Sequence, residues 1–229
     1  MNTNTPYTRR TLFGVSAFTA TTLLLTACGT TDSTASSHGN TKAVDTGVRD
    51  DNGYHLNTVL NDKPTVTLFT DYQCPYCKKA DPAYLEAAGK LDGILNVTVQ
   101  NFPLPMHRFS ISAARAMICA QNQKKYIPFS EKVFSEQKMW GESENEEAAY
   151  QKFADYAKEL DLNIDQFKTD YSASKTEEII KASFEQGKKI GVRGTPSFVL
   201  DGKVLENVNS STDAADMVKE FKKAAGITE

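Results

Sequence analysis

Cysteine is scarce in this chain of 229 residues, with four in all: Cys28, Cys74, Cys77 and Cys119. A small disulfide-stapled scaffold needs more of them, evenly paired, so the fold must rest on a hydrophobic core. Basic residues are not in surplus. Lys and Arg number 26 against 29 Asp and Glu, and removing an N-terminal segment carrying Arg9 and Arg10 takes the balance to 24 − 29 = −5. A mildly acidic surface argues against nucleic acid as a partner. The main N-terminal apolar run, Leu12 to Ala27, is shorter than the ~20 residues a membrane span needs and is diluted by threonine. Internal repeats are lacking as well. The part from about Tyr54 onward suits one domain with an embedded subdomain.

The N-terminus is the first feature that is present. Arg9 and Arg10 precede LFGVSAFTATTLLLTA, an uncharged run ending in small residues, and this is the pattern of a secretory signal over residues 1–27. Leu25-Thr26-Ala27-Cys28 resembles the lipobox of bacterial lipoproteins, in which the cysteine is lipidated and becomes the mature N-terminus. That resemblance implies lipidation at Cys28 and a place on the outer face of the cell membrane, with secretion or an uncleaved N-terminal anchor as alternatives. Thr8 to Phe13 resembles a twin-arginine export signal. Residues 28–53 are rich in Ser, Thr, Gly and Asn, which predicts a flexible tether with His38 solvated inside it. His55, near the start of the folded part, has no evident partner and reads as solvated too.

Lys63-PTVTLFTDY reads as a buried strand led in by Pro64. From Pro75 the apolar spacing becomes helical, with Pro75 tolerated in the first turn and Pro82 expected to kink the helix. ILNVTVQNF, Ile94 to Phe102, reads as a second strand and completes a βαβ unit. Five helical segments follow: 110–121 with Ile111, Ala114 and Ile118 on one face, then 127–136, 145–160, 164–171 and 176–189. The stretch from Met139 to Glu147 reads as a loop entering an acidic helix N-terminus. SFVLDGKVLEN is expected as a hairpin turning at Asp201-Gly202. A last amphipathic helix, about 212–225, buries Ala215, Val218, Phe221 and Ala225.

The pair Cys74 and Cys77, on a C-x-x-C spacing where the first strand gives way to the first helix, could hold a metal, staple the fold or do redox chemistry. Structural zinc wants four ligands, and only Cys119 and His107 are left, neither on a paired spacing. A bridge closing so small a loop removes little chain entropy. Redox chemistry is the strongest reading: a cysteine at a helix start faces unpaired backbone N–H groups and the positive end of the dipole, which favour the attacking thiolate. Cys74 is then the exposed nucleophile and Cys77, one turn inward, resolves the mixed disulfide. Pro75 and Tyr76 between them tune the site. Tyr76 offers a neutral hydroxyl where a histidine would offer positive charge. Cys119, among small residues on a helix, reads as a buried free thiol. His107 reads as a cap or surface residue, with a tuning role toward Cys74 as the alternative, and Asp71 as a solvated acid at a strand end.

The F-T-D-Y-Q-C-P-Y-C lead-in, the segment Asn101 to His107, the helical block and G-V-R-G-T-P-S-F together resemble the thioredoxin superfamily, and within it the bacterial DsbA-like disulfide oxidoreductases. The resemblance implies an α/β thioredoxin fold (βαβ…ββα) with an inserted helical subdomain: residues 54–107 and 191–229 form the fold and 108–190 the insertion. It implies a cis bond between Thr195 and Pro196, with these two residues binding substrate. It also implies an exported dithiol oxidase that needs no cofactor beyond the redox disulfide Cys74–Cys77 and no metal, and acts as a monomer. Its partners would be unfolded exported proteins with cysteines and a quinone-linked membrane protein that re-oxidises it. A reductase or isomerase of the same fold, or a lipid-anchored peptide-binding, chaperone-like module, remains the alternative.

Overall fold

In the computed structural model, residues 42–228 are described. The signal segment and the proposed lipidation site Cys28 lie outside the described residues. The centre of the molecule is a parallel pair, β3 (Thr65–Thr70) and β4 (Asn96–Asn101), in register from Thr65 opposite Asn96 to Thr70 opposite Asn101. Both strands are buried along their whole length, as expected of a parallel pair covered on both faces. The helix α1 (Pro75–Lys90) connects them. Pro75 occupies its first turn, and Pro82 is accommodated inside a helix that runs unbroken.

On the other side of β3, β5 (Ser197–Leu200) runs antiparallel and turns into β6 (Lys203–Val204). The turn residues Asp201 and Gly202 have φ of 43° and 79°, the backbone that a two-residue hairpin loop demands. The last helix, α8 (Ala214–Ala224), starts at Asp213, whose carboxylate accepts the Asp216 N–H. Its buried stripe is Ala214, Met217 and Phe221, so Ala215 points outward instead of into the core.

Between β4 and β5 lie six helices: α2 (Ser110–Asn122), α3 (Tyr126–Ser135), α4 (Gln137–Gly141), α5 (Glu146–Glu159), α6 (Ile164–Ser172) and α7 (Ser174–Ile190). Helix α4 replaces the start of an expected loop. Trp140 explains it: the ring is buried against Phe153 at 5.1 Å and its indole N–H donates to the Val133 carbonyl. Ile111, expected on the same face as Ala114 and Ile118, is exposed, while those two are buried with Ile180 of α7. Gly187 lets α7 approach the sheet, since a Cβ there would stand 2.7 Å from the Phe102 ring.

The tether reading fails for residues 42–53. They form β1 (Arg49–Asp50), which pairs with β2 (Gly53–His55), and β2 pairs with β4, giving a six-stranded sheet in the order β1-β2-β4-β3-β5-β6. Its polar residues find partners instead of water. Arg49 donates to Gln121 Oε1, and Asp45 accepts from the Tyr54 hydroxyl and the Ile127 N–H. His55 is likewise buried, with Nε2 2.9 Å from Asp50 Oδ2, and is not solvated.

Candidate active site

The site is built where β3 ends and α1 begins. Cys74 is the residue before the helix; its N–H donates to the Asp71 carbonyl and no side chain caps the first turn. The free N–H groups there are available to the Cys74 sulfur, and those of Tyr76 and Cys77 both lower its pKa. Cys77 falls one turn later, on the buried face with Ala80, Tyr84 and Ala88. Both thiols are free and buried in this structure. Cys74 is therefore less open than the expected exposed nucleophile, at 3% exposure. The reason is that its sulfur turns against the Thr195 carbonyl, 3.4 Å away. It still lies less deep than Cys77.

The two thiols are driven in opposite directions. Cys74 is lowered to about 5, chiefly by a hydrogen bond from Cys77, with the Thr195 side chain and the helix N–H groups adding to it and burial opposing. Cys77 is pushed well above its ordinary value, first by burial and then by its bond to Cys74 and the charge of that neighbour. Thr195 and Pro196 are brought beside the pair, with a cis peptide between them. The Thr195 side chain lowers both thiols. Tyr76 is 63% exposed at the rim and Pro75 occupies the first helical position.

Four residues that the sequence left in minor roles hold this arrangement. Asp71 is buried, not solvated. Its N–H donates to Cys77 Sγ at 3.5 Å, while its carboxylate accepts from the N–H groups of Gln73 and Leu104 and sits 2.7 Å from His107 Nδ1. His107 is thus a partner of Asp71, beside Cys77, rather than a surface cap. Gln73 accepts from the Phe109 N–H and donates to the Gly141 carbonyl. Gln137 of α4 donates to the carbonyls of Tyr72 and Cys74 at 2.9 and 3.1 Å. The helical block thereby clamps the segment that presents the nucleophile. Only the shared-face spacing of Cys77 and Asp81 on α1 hinted at a fifth residue, Asp81, which is buried one turn beyond Cys77. Cys119 is buried in the block against the Phe167 carbonyl, and burial pushes its thiol up. A cleft of about 830 Å³ between β1 and α7 contains none of the site residues.

Comparison with known proteins places the fold. A family described as Thioredoxin matches residues 61–220. Among solved structures, a thioredoxin-like oxidoreductase from Silicibacter pomeroyi DSS-3 is 26% identical with a TM-score of 0.61, covering 78% of this chain and 95% of that one. The thiol-disulfide exchange protein alpha-DsbA2 from Wolbachia pipientis is 23% identical with a TM-score of 0.57, covering 73% and 85%. MdbA from Corynebacterium matruchotii, a thiol-disulfide oxidoreductase, is 21% identical with a TM-score of 0.58, covering 71% and 86%. The last two support the fold alone. Among curated proteins, the Na(+)/H(+) antiporter NhaA 1 of Mycobacterium sp. (strain KMS) is 27% identical over 162 residues, which is 69% of this chain and 25% of the antiporter. The chain thus spans about a quarter of the length of that relative. With residues 61–220 matched, the chain belongs to the thioredoxin family.

Proposed function

We propose that this protein is an exported thiol–disulfide oxidoreductase that works as a dithiol oxidase, passing the Cys74–Cys77 disulfide to exported proteins. The observation that carries the reading is the opposed pull on the two thiols, with Cys74 lowered to about 5 and Cys77 raised. A stabilised Cys74 thiolate stabilises the reduced form, which makes the disulfide the higher-energy, oxidising partner. It also makes Cys74 the better leaving group when a second substrate thiol resolves the mixed disulfide.

Unfolded clients with cysteines suit the surface around the pair. Pro196 has no N–H, and the backbone of Thr195 beside it can pair with an extended substrate segment with little sequence preference. Exposed apolar side chains lie in the segments next to it. Tyr76 lies in the C-x-x-C itself, Met106 and Ile111 flank the His107–Phe109 segment, and Met139 lies in α4; these two segments hydrogen-bond to the lead-in of Cys74. Anchorage through a lipid on Cys28, action as a monomer and re-oxidation by a quinone-linked membrane partner complete the reading.

The test is the reduction potential of Cys74–Cys77 measured together with oxidation of a reduced, unfolded substrate. An oxidase gives a value well above the ~−270 mV of thioredoxin, toward the ~−120 mV of the strongest oxidants of this type, and forms disulfides in the substrate. A value near thioredoxin's with no oxidase activity overturns the proposal in favour of a reductase.

A further inference from the structure

A cleft of about 630 Å³ opens on both chain sides of the Thr195–Pro196 segment. Arg193 and Gly194 line it from the loop after α7, Ser197 from the start of β5, and Lys203 and Glu206 from β6 and the residues that follow. Ile190 and Val204 add apolar lining and pack on the buried Phe69–Phe102 cluster. The Ser197 hydroxyl is already engaged, donating to the Gly194 carbonyl at 2.7 Å, so it fixes the loop. A Cβ at Gly194 would meet nothing within 4 Å, which leaves the backbone next to Thr195 open to a second chain. Arg193 and Lys203 are exposed, and among the described residues neither side chain has an ion pair or a hydrogen bond. Glu206 and the carbonyl end of α7 oppose an anion there. The Gly187 and Lys188 carbonyls of that end already accept from the N–H groups of Gly191 and Val192, so the cleft sets two unpaired cations against one carboxylate.

The place of this cleft relative to the reacting sulfur gives it a use. Cys74 Sγ lies 3.4 Å from the Thr195 carbonyl, so a client cysteine joined to Cys74 stands beside Thr195. An extended client chain paired with that backbone advances ~3.3 Å per residue and runs on past Gly194 and Arg193. We propose that the cleft takes an acidic side chain of the client, two or three residues from its cysteine, with the carboxylate facing Arg193 and Lys203. A guanidinium offers a carboxylate two parallel N–H groups and an ammonium adds a point charge. Both cations are exposed, so the gain is modest and falls on binding more than on the chemical step. The inference rests on the redox reading of Cys74–Cys77 and adds to it a preference for clients with acidic flanks.

The experiment is oxidation of unstructured cysteine peptides by the oxidised protein, the peptides differing only in a Glu, Gln or Lys placed two or three residues to either side of the cysteine. Rates are divided by the thiolate concentration of each peptide, which removes the effect of the flank on the peptide's own thiol. At one of these positions the Glu peptide is expected to react about fivefold faster than the Gln peptide and the Lys peptide slower than both, through KM with kcat unchanged. The preference is expected to shrink in high salt. Arg193→Gln combined with Lys203→Gln is expected to bring the Glu-to-Gln ratio to about one. Lys158→Gln combined with Lys168→Gln, on α5 and α6, changes the net charge equally and is expected to keep the preference. Equal rates for the Glu and Gln peptides, or a ratio that survives in the Arg193 and Lys203 variant, overturns the subsite while leaving the oxidase reading intact. A ratio lost equally in the Lys158 and Lys168 variant assigns the preference to overall charge and has the same consequence. A wild type that oxidises none of the peptides overturns the reading and the inference together.

Discussion

The first and second turns of α1 differ sharply in chemistry. The first turn, Cys74 to Tyr76, ends in unpaired N–H groups, a neighbouring hydroxyl and a solvent-facing phenol, and it favours negative charge. The second, Cys77 to Asp81, turns Cys77 and Asp81 inward, and it resists charge on both of these buried groups. One helix thus presents a thiol that is easily ionised and, one turn deeper, a thiol and a carboxyl that hold their protons. A redox pair needs this inequality, because equal thiols would give no preferred point of attack and no preferred leaving group.

Removing one sulfur at a time breaks the comparison most completely. Cys74→Ser is expected to take substrate oxidation down to the uncatalysed rate and to form no adduct with substrate. Cys77→Ser is expected to accumulate a mixed disulfide through Cys74, visible as a mass increase under non-reducing conditions. If Cys77→Ser forms no adduct, or if Cys74→Ser forms one through Cys77, the assigned order of the two thiols is wrong.

Much of the first turn could be read in the sequence, and little of the second. C-P-Y-C after a β-branched run, Pro75 in a first helical turn and Asp201-Gly202 between two strands are local signals, since the chemistry that fixes the backbone lies within a few residues. Thr195-Pro196 came from resemblance and lies against Cys74 as expected. The supports of the site are non-local. Asp71 meets His107 across 36 residues and Gln137 reaches Cys74 across 63, so each looked like an ordinary polar residue in its own neighbourhood. The strap from Lys42 to Gly53 departs from the tether expectation for a related reason. Composition predicts whether a segment can bury apolar surface, and this one is held by backbone pairing to a sheet edge and by Arg49 and Asp45 finding distant partners. Asp81 is not legible locally, since an acid on a helix is solvated by default; its position four residues after Cys77 on the apolar face is the available signal.

The second turn can be challenged through stability. Asp81 is an acid whose folded pKa, about 7, lies above its unfolded value of 3.8. Between those values the folded state holds a proton that the unfolded state has released. Stability from this group is therefore full below about pH 4 and is lost as pH rises through 7, at ~1.4 kcal/mol per unit and ~4 kcal/mol as a ceiling. Asp81→Asn removes that slope. Urea unfolding is expected to show the variant more stable than wild type at pH 8, by roughly 1–3 kcal/mol, with the advantage gone at pH 4. An equal difference at the two pH values would mean that the second turn does not penalise charge.

The smallest expected effect concerns the first turn. Tyr76 is more than half exposed, at 63%, so any charge placed there is partly screened by water. Its backbone N–H already favours the Cys74 thiolate, and its phenol adds no charge. Tyr76→His keeps the N–H and brings an imidazolium that further stabilises the thiolate, and hence the reduced form. The Cys74 thiol titration is expected to move down and the Cys74–Cys77 potential to rise by about 30 mV, equivalent to ~1.4 kcal/mol for the two-electron couple. The rise should shrink in high salt and vanish as the pH passes above the histidine's own titration, since only the charged ring can act. A potential that does not rise, or rises equally at pH 9, would assign the poise of the first turn to the helix N–H groups and Thr195 alone.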